Sequence, residues 1–322
     1  MKFVDLFCGC GGLSLGLEKA GMKPIVSIDN LKEINLIHKK NFKHDFIECD
    51  LNDVKKTTNI LANYKFDMIV GGPPCQDFSI AGKRDENLGR ADLTNKFSEI
   101  IIKTKPKYFL MENVERIKKS KILLNIISKF KKNNYYMSAF IINSYNCNVP
   151  QDRKRYFLYG QLNGENNSLL YFIKKRLSKY PLTVRKYFKN NLNYEYYYRH
   201  PRNYNRRGIF SIDEPSPTIR GVNRPVPSGY KLRPNDPKII SLKKVKVMTT
   251  KERSLIQTFP LKFKLLGKKT IDEQLIGNAV PVNMAKLIGE SINELLENNK
   301  KTINTDLFGN NEIILPNKML NS

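Results

Sequence analysis

The stretch with the most chemical content is Gly71-Gly72-Pro73-Pro74-Cys75-Gln76. It follows the apolar run 66–70, which predicts a short buried strand bounded by Gly and Pro. A cysteine delivered at the end of such a strand, in a turn stiffened by two prolines, stands where a ligand can reach it. Taken alone, Cys75 reads equally well as a reagent or as one more small buried residue. Glu112 follows a second apolar run, 109–111, and a carboxylate at the carboxyl end of a buried parallel strand points into the ligand crevice. Its other reading is a partner for a core arginine. Gln151-Asp152-Arg153-Lys154-Arg155 is either a solvated charge run or an alternation that sets two guanidinium groups on one face, suited to a polyanion or a polar ring edge. Phe7-Cys8-Gly9-Cys10-Gly11-Gly12 is not the dinucleotide fingerprint, because Ser14 stands where its third glycine would be. Its glycines still allow a ligand close to a strand-to-helix turn. Asp29 and Asp50 each end a predicted strand, placed to bind a ribose diol and an adenine amino group respectively. Turn glycines and helix-capping carboxylates are the plainer reading of these positions.

The elements that must hold these residues follow from periodicity. Strands are expected over 2–7, 24–29, 45–50, 66–70 and 108–114, with two more over 138–143 and 155–160. Helices are marked by Leu13 and Leu17, by Ile34 and Ile37, by Ile100 and Ile101, and by Ile122, Leu123, Ile126 and Phe130. Strands alternating with helices predict an α/β fold with a doubly wound, mostly parallel sheet. From 161 to 245 the chain turns basic and tyrosine-rich and the alternation is lost, so a smaller, irregular, β-leaning domain is expected there. Helices resume at 250–257, capped by Thr249 or Thr250, and at 282–296. This divides the chain into 1–160 plus about 274–296, about 161–273, and a mobile tail over 297–322.

The formal net charge is +26 over 322 residues. A polyanionic partner is the natural inference, since a basic surface gains by releasing counterions. The abundance of Lys, Asn and Ile together has a second reading, as the imprint of AT-rich coding sequence. No apolar run approaches a membrane span and no signal peptide opens the chain, so no membrane association is expected. The five cysteines, at 8, 10, 49, 75 and 147, include no Cys-x-x-Cys pair, and there are three histidines. Reduced thiols, a cytoplasmic location and no metal site are expected.

Together, residues 5–17, 71–79, 112–114, 151–155 and 274–292 resemble the ordered motifs of the DNA (cytosine-5) methyltransferases, most nearly the bacterial restriction–modification type. The resemblance implies the S-adenosyl-methionine-dependent methyltransferase fold, with 161–273 as a target-recognition domain. It implies S-adenosyl-methionine as cofactor, held by Phe7, Gly9, Gly11, Asp29, Asp50, Leu51, Pro74, Leu93, Asn278 and Val280. Cys75 would be the nucleophile on cytosine carbon 6. Glu112 would hydrogen-bond ring nitrogen 3 and the exocyclic amine. Arg153 and Arg155 would lie near the ring carbonyl, Arg155 in direct contact. Asn113 would orient the loop. The partner implied is duplex DNA with a flipped cytosine. Gln76, Ser79, Lys83, Arg84 and Arg90, on a mobile catalytic loop, and Thr218, Ile219, Arg220, Asn223 and Arg224 would contact it. A cognate restriction endonuclease sharing the same site, a monomeric state and association with the nucleoid belong to the same expectation. Two features depart from the family pattern. Cys8 and Cys10 flank Gly9, which bears on redox sensitivity, and Asn30 stands where many members stack an aromatic ring on adenine. The rival readings are an RNA (tRNA) cytosine-5 methyltransferase, an inactive DNA-binding regulator and, less well supported, a dinucleotide-dependent oxidoreductase.

Overall fold

Apolar residues on both faces of nearly every early strand leave one arrangement open, a sheet covered on two sides. The computed structural model describes residues 1–74, 92–201, 203, 206–238 and 241–305. Its main sheet has seven strands in the order β3-β2-β1-β4-β5-β8-β6. These are β1 (Lys2–Leu6), β2 (Lys23–Asp29), β3 (Asp45–Glu48), β4 (Met68–Gly71), β5 (Tyr108–Val114), β6 (Tyr135–Asn143) and β8 (Lys154–Leu162). The first five run parallel; β8 lies antiparallel between β5 and β6. Strand order reverses between β1 and β4, the switch point where open α/β sheets bind ligands beyond their carboxyl ends.

Alternate residues of each strand feed two cores. On one face Phe3, Met68, Leu110 and Phe157 pack with Leu13 and Leu17 of α1 (Gly12–Lys19) and with Met284, Ala285 and Ile288 of α10 (Val282–Thr305). On the other, Val4, Ile28, Ile69, Phe109 and Met111 meet α3 (Val54–Leu61), α4 (Asp92–Thr104) and α5 (Lys121–Lys132). α2 (Lys32–Asn41) buries Ile34 and Ile37 in a further cluster with Phe259 and Phe263. The helix α3 was not expected from periodicity, because only Val54, Thr57 and Leu61 of its eight residues are buried. Asp53 caps it, accepting a hydrogen bond from the Lys56 amide at 2.9 Å.

The second unit holds a three-stranded sheet of β9 (Tyr196–Tyr198), β10 (Ile209–Ser211) and β12 (Val245–Val247), in the order β10-β9-β12. It is not purely β-leaning. Two short helices, α6 (Leu170–Arg176) and α7 (Val184–Phe188), precede that sheet. The boundary expected at 161 also shifts, because Leu169, Phe172 and Ile173 belong to the main core against α10. α8 (Thr250–Ile256) begins at Thr249 with a capping box to Glu252, and α9 (Lys269–Asn278) follows. α10 runs past the 297 boundary to Thr305; the remainder of the expected tail lies outside the described residues. Among the described residues no helix is long and apolar enough to cross a membrane.

Candidate active site at the carboxyl edge of the sheet

Sheet register brings the chemistry-bearing residues into one row. Ile28, Leu6, Gly71 and Met111 are mutual partners across β2, β1, β4 and β5. The next residues along the four chains are Asp29, Phe7, Gly72 and Glu112. A Cβ placed on Gly72 would stand 3.1 Å from Glu112 Oε2, so the carboxylate lies against the loop leaving β4. That loop is held from β5: Asn113 Nδ2 donates to the Pro73 carbonyl at 3.2 Å. This matches the loop-orienting role expected of Asn113. Pro74, half-buried, is the last described residue before Cys75, which with Gln76, Ser79, Lys83, Arg84 and Arg90 lies outside the described residues.

Glu112 is buried and pairs with Arg155 across the β5–β8 ladder, Nε to Oε1 at 2.8 Å. Burial pushes the Glu112 carboxyl above the usual carboxylate range, while the charges of Arg155 and Arg153 work the other way. A buried acid so balanced can hold a proton and donate it to a ring nitrogen.

Arg153 behaves differently from its expected role. Its side chain is 1% exposed, and its guanidinium donates to the carbonyls of Ile219, Gly277, Asn278 and Ala279 at 3.0 to 3.4 Å. These four acceptors offset the cost of burying its charge. They engage both terminal nitrogens, while Nε is buried with no hydrogen-bond partner among the described residues. Arg153 is thus a positioning residue, tying the end of β7 (Gln151–Asp152) to the turn after α9 and to Ile219. A second clasp, not foreseen from the sequence, runs beside it. Gln151 Nε2 donates to Gln257 Oε1 at 2.7 Å, Gln151 Oε1 accepts from the Ile219 amide at 2.8 Å, and Gln257 Nε2 reaches the Ile276 carbonyl at 2.6 Å. Gln151 opens the charged stretch 151–155, and nothing local to it or to Gln257 signals a partner 106 positions away.

Several of the expected cofactor residues stand at or just beyond the ends of β1, β2 and β3. Phe7 and Gly9 have left-handed backbones, and no atom lies within 4 Å of the position a Gly9 Cβ would take, so a ligand can rest against the turn. Asp29 Oδ2 accepts from the Gly9 amide at 2.9 Å and Oδ1 from the Leu31 amide at 3.3 Å, which leaves lone pairs on both oxygens for a diol. Burial raises its pKa and the amides oppose that. Asp50 is exposed and receives Asn52; Leu51 is buried beside it. Gly11 packs on the Phe42 ring, Leu93 is half-buried at the start of α4, and the α9 turn carries exposed Asn278 and buried Val280.

Cys8 and Cys10 lie in environments that disfavour the thiolate. Both are buried, with Cys8 Sγ 3.6 Å from His38 Nε2 and Cys10 Sγ on the Leu275 carbonyl. Burial pushes the Cys8 thiol well up and the Cys10 thiol up to about 12, so neither presents the thiolate that oxidation needs.

The expected DNA contacts of the second unit separate in the same way. Ile219 is 6% exposed and belongs to an apolar core with Ile256 and Ile276, so it is not a DNA contact. Thr218 Oγ1 donates to the Asp152 carbonyl, and the Asn223 amide is spent on the Met248 carbonyl and Glu273 Oε1. Arg220 is half-buried and donates to the His200 carbonyl; Arg224 is exposed.

The family profile of C-5 cytosine-specific DNA methylases matches residues 1–294. The chain belongs to that family. The methylase is 55% identical over 292 residues to the type II methyltransferase M.HindV of Haemophilus influenzae, covering 91% of this chain and 96% of the relative. It is 47% identical over 296 residues to M.HgiDI of Herpetosiphon aurantiacus, covering 92% and 95%. Among solved structures it resembles the Entamoeba histolytica methyltransferase EhMeth, with a TM-score of 0.67, 20% identity and coverage of 92% of this chain and 98% of that one. The S. pombe Dnmt2 methyltransferase gives 0.64, 16%, 92% and 98%. Both likenesses speak for the fold. The methylase acts on carbon 5 of cytosine in DNA with S-adenosyl-methionine as the methyl donor. The open turn at Gly9 and the half-used Asp29 carboxylate fit that donor.

Proposed function

We propose that the methylase modifies one cytosine within a short, specific duplex sequence, as the modification partner of a restriction endonuclease that reads the same site. The support is the type II methyltransferase identity of relatives 47–55% identical to it over nearly their full length. It would act as a monomer. A duplex hides both faces of the target ring, so the nucleotide must leave the stack to enter the crevice.

The observation that carries the mechanism is the row of Phe7, Gly72 and Glu112 with Arg155 paired to Glu112. The Cys75 thiolate adds to carbon 6, forming a carbon–sulfur bond while the ring's electron pair moves toward nitrogen 3 and carbon 5. Glu112, made a weaker acid by burial, supplies the proton at nitrogen 3 and accepts from the exocyclic amine. Arg155 holds that carboxyl and faces the ring carbonyl. Carbon 5, now enamine-like, takes the methyl group that S-adenosyl-methionine supplies when bound. A water then removes the carbon 5 proton, the carbon–sulfur bond breaks to release the Cys75 thiolate, and the nitrogen 3 proton returns to Glu112.

Duplex DNA carrying 5-fluorocytosine in place of cytosine, incubated with S-adenosyl-methionine, is expected to trap a denaturant-stable protein–DNA complex. Cys75→Ser should form none while binding the cofactor normally. Trapping by the serine variant, or none by a parent chain that methylates ordinary DNA, would remove Cys75 from this role. Methylation of RNA in preference to DNA would overturn the substrate assignment.

A further inference from the structure

A buried ion pair outside the catalytic row points to how sequence readout is organised. Arg253 of α8 and Glu273 of α9 meet at 2.6 Å, Nε to Oε2, with side chains 6% and 3% exposed. Such a pair has no use in the chemistry above, and burying two charges brings little stability by itself. Apart from a bond to Thr250, its remaining hydrogen bonds go to one segment. Arg253 donates to the Val222 carbonyl at 3.3 Å and to the Arg220 carbonyl. Glu273 Oε1 accepts from Asn223 Nδ2 at 3.0 Å and from Thr250 Oγ1 at 2.8 Å. The segment also lies flat on α9: a Cβ on Gly277 would come within 2.9 Å of the Arg220 carbonyl oxygen.

Residues 220–224 are held in part from other elements as well, by Arg220 on the His200 carbonyl and Asn223 on the Met248 carbonyl. Ile219 is buried just before them, but Val222 is 48% exposed and Arg224 is exposed. Burial lowers the His200 pKa, and the charges of Arg224, Arg220 and Arg233 lower it further. Arg233 is itself anchored, its amide bonded to Asp236 at 2.9 Å. A rigid backbone behind a guanidinium group is what bidentate reading of a base edge requires, because its discrimination depends on donor placement.

We propose that the Arg253–Glu273 pair is a positioning device for DNA recognition, fixing the backbone of 220–224 so that the exposed Arg224 side chain reads a base edge. The proposal rests on the DNA-methylating role above and specifies part of its recognition machinery. Arg253 and Glu273 touch no base. They act through the carbonyls of Arg220 and Val222 and the amide of Asn223.

The test uses the full chain on a randomised duplex library, read by bisulfite sequencing, with S-adenosyl-methionine affinity and thermal unfolding measured alongside. Methylation of a defined sequence by the parent chain is the control; its failure would strike the functional reading itself. Arg253→Met/Glu273→Met removes both charges together and so avoids stranding one. It is expected to lower discrimination between the preferred site and its single-base variants about tenfold or more, with cofactor affinity unchanged. Arg253→Lys keeps the ion pair but cannot span both carbonyls, and should give an intermediate loss. Parental discrimination in the folded double variant would overturn the proposal and leave the pair a plain packing feature. Should the double variant fail to fold, Arg253→Lys decides: reduced discrimination supports the proposal, and parental discrimination overturns it.

Discussion

Asp5 is buried in β1, takes a hydrogen bond from Ser14 Oγ at 2.6 Å, and has no hydrogen-bond partner for Oδ1 among the described residues. Burial, reinforced by the nearby Asp29 charge and opposed by Ser14, raises its pKa from 3.8 to about 7. Between about pH 4 and 7 the folded state therefore retains a proton that the unfolded chain has lost. Stability from this group is complete below the unfolded value and declines as pH rises through the folded one. Roughly three pH units at about 1.4 kcal/mol each make the loss on the order of 4 kcal/mol. Asp5→Asn keeps an acceptor for Ser14 and never ionises. Its melting temperature is expected to exceed the parent's by more at pH 8.5 than at pH 5.5; an equal difference at both would show that Asp5 does not titrate in this range. A charge-free Asp5 also spares Asp29 a repulsive neighbour at the cofactor end of the row.

The catalytic unit depends on elements that begin and end the chain. α1 lies against α10 closely enough that a Cβ on Gly16 would stand 2.8 Å from the Lys286 amide nitrogen and collide with Ala285. This contact lets residues 278–280, just before α10, return to the turn after β1. Gly16→Ala is expected to destabilise the protein by about 1–3 kcal/mol, the usual cost of overpacking. Equilibrium denaturation would show it as a lower midpoint at unchanged slope. An unchanged midpoint would mean that the two helices separate without penalty. Arg153 and the Gln151–Gln257 clasp link the same turn to Ile219, so cofactor-binding and recognition segments share one set of buried hydrogen bonds.

At the scale of the whole molecule, the net charge of +26 has to be judged by what it does in salt. Six or more phosphate contacts would lower DNA affinity about 10³-fold or more between 50 and 200 mM salt, by counterion release. We expect a fall of that size for duplexes with and without the target site, measured by fluorescence anisotropy. A shallow dependence would mean that much of the lysine excess is composition rather than interface. The target's extra affinity should persist at high salt, because base contacts release few counterions.

Local pattern was enough for the early strands and for most of the helices beside them, α3 excepted, since strand period and turn residues act over a few positions. β5 falls where it was expected, 108–114, and the ends of β1, β2 and β4 within a residue of theirs. The blocks around Cys75, Glu112 and Arg155 were legible for a related reason: each is a short run in which chemistry restricts residue type. Long-range pairing was not legible. Arg153 and Arg155 look alike in the chain, yet one fills a cage of carbonyls contributed from 219 and 277–279 while the other meets Glu112. Ile219 and Asn223 read as surface residues until α8 and α9 close over them. Arg253 and Glu273, twenty positions apart, carry no local signal of their pairing. Burial and partner choice depend on segments distant in sequence, and only the folded chain brings those together.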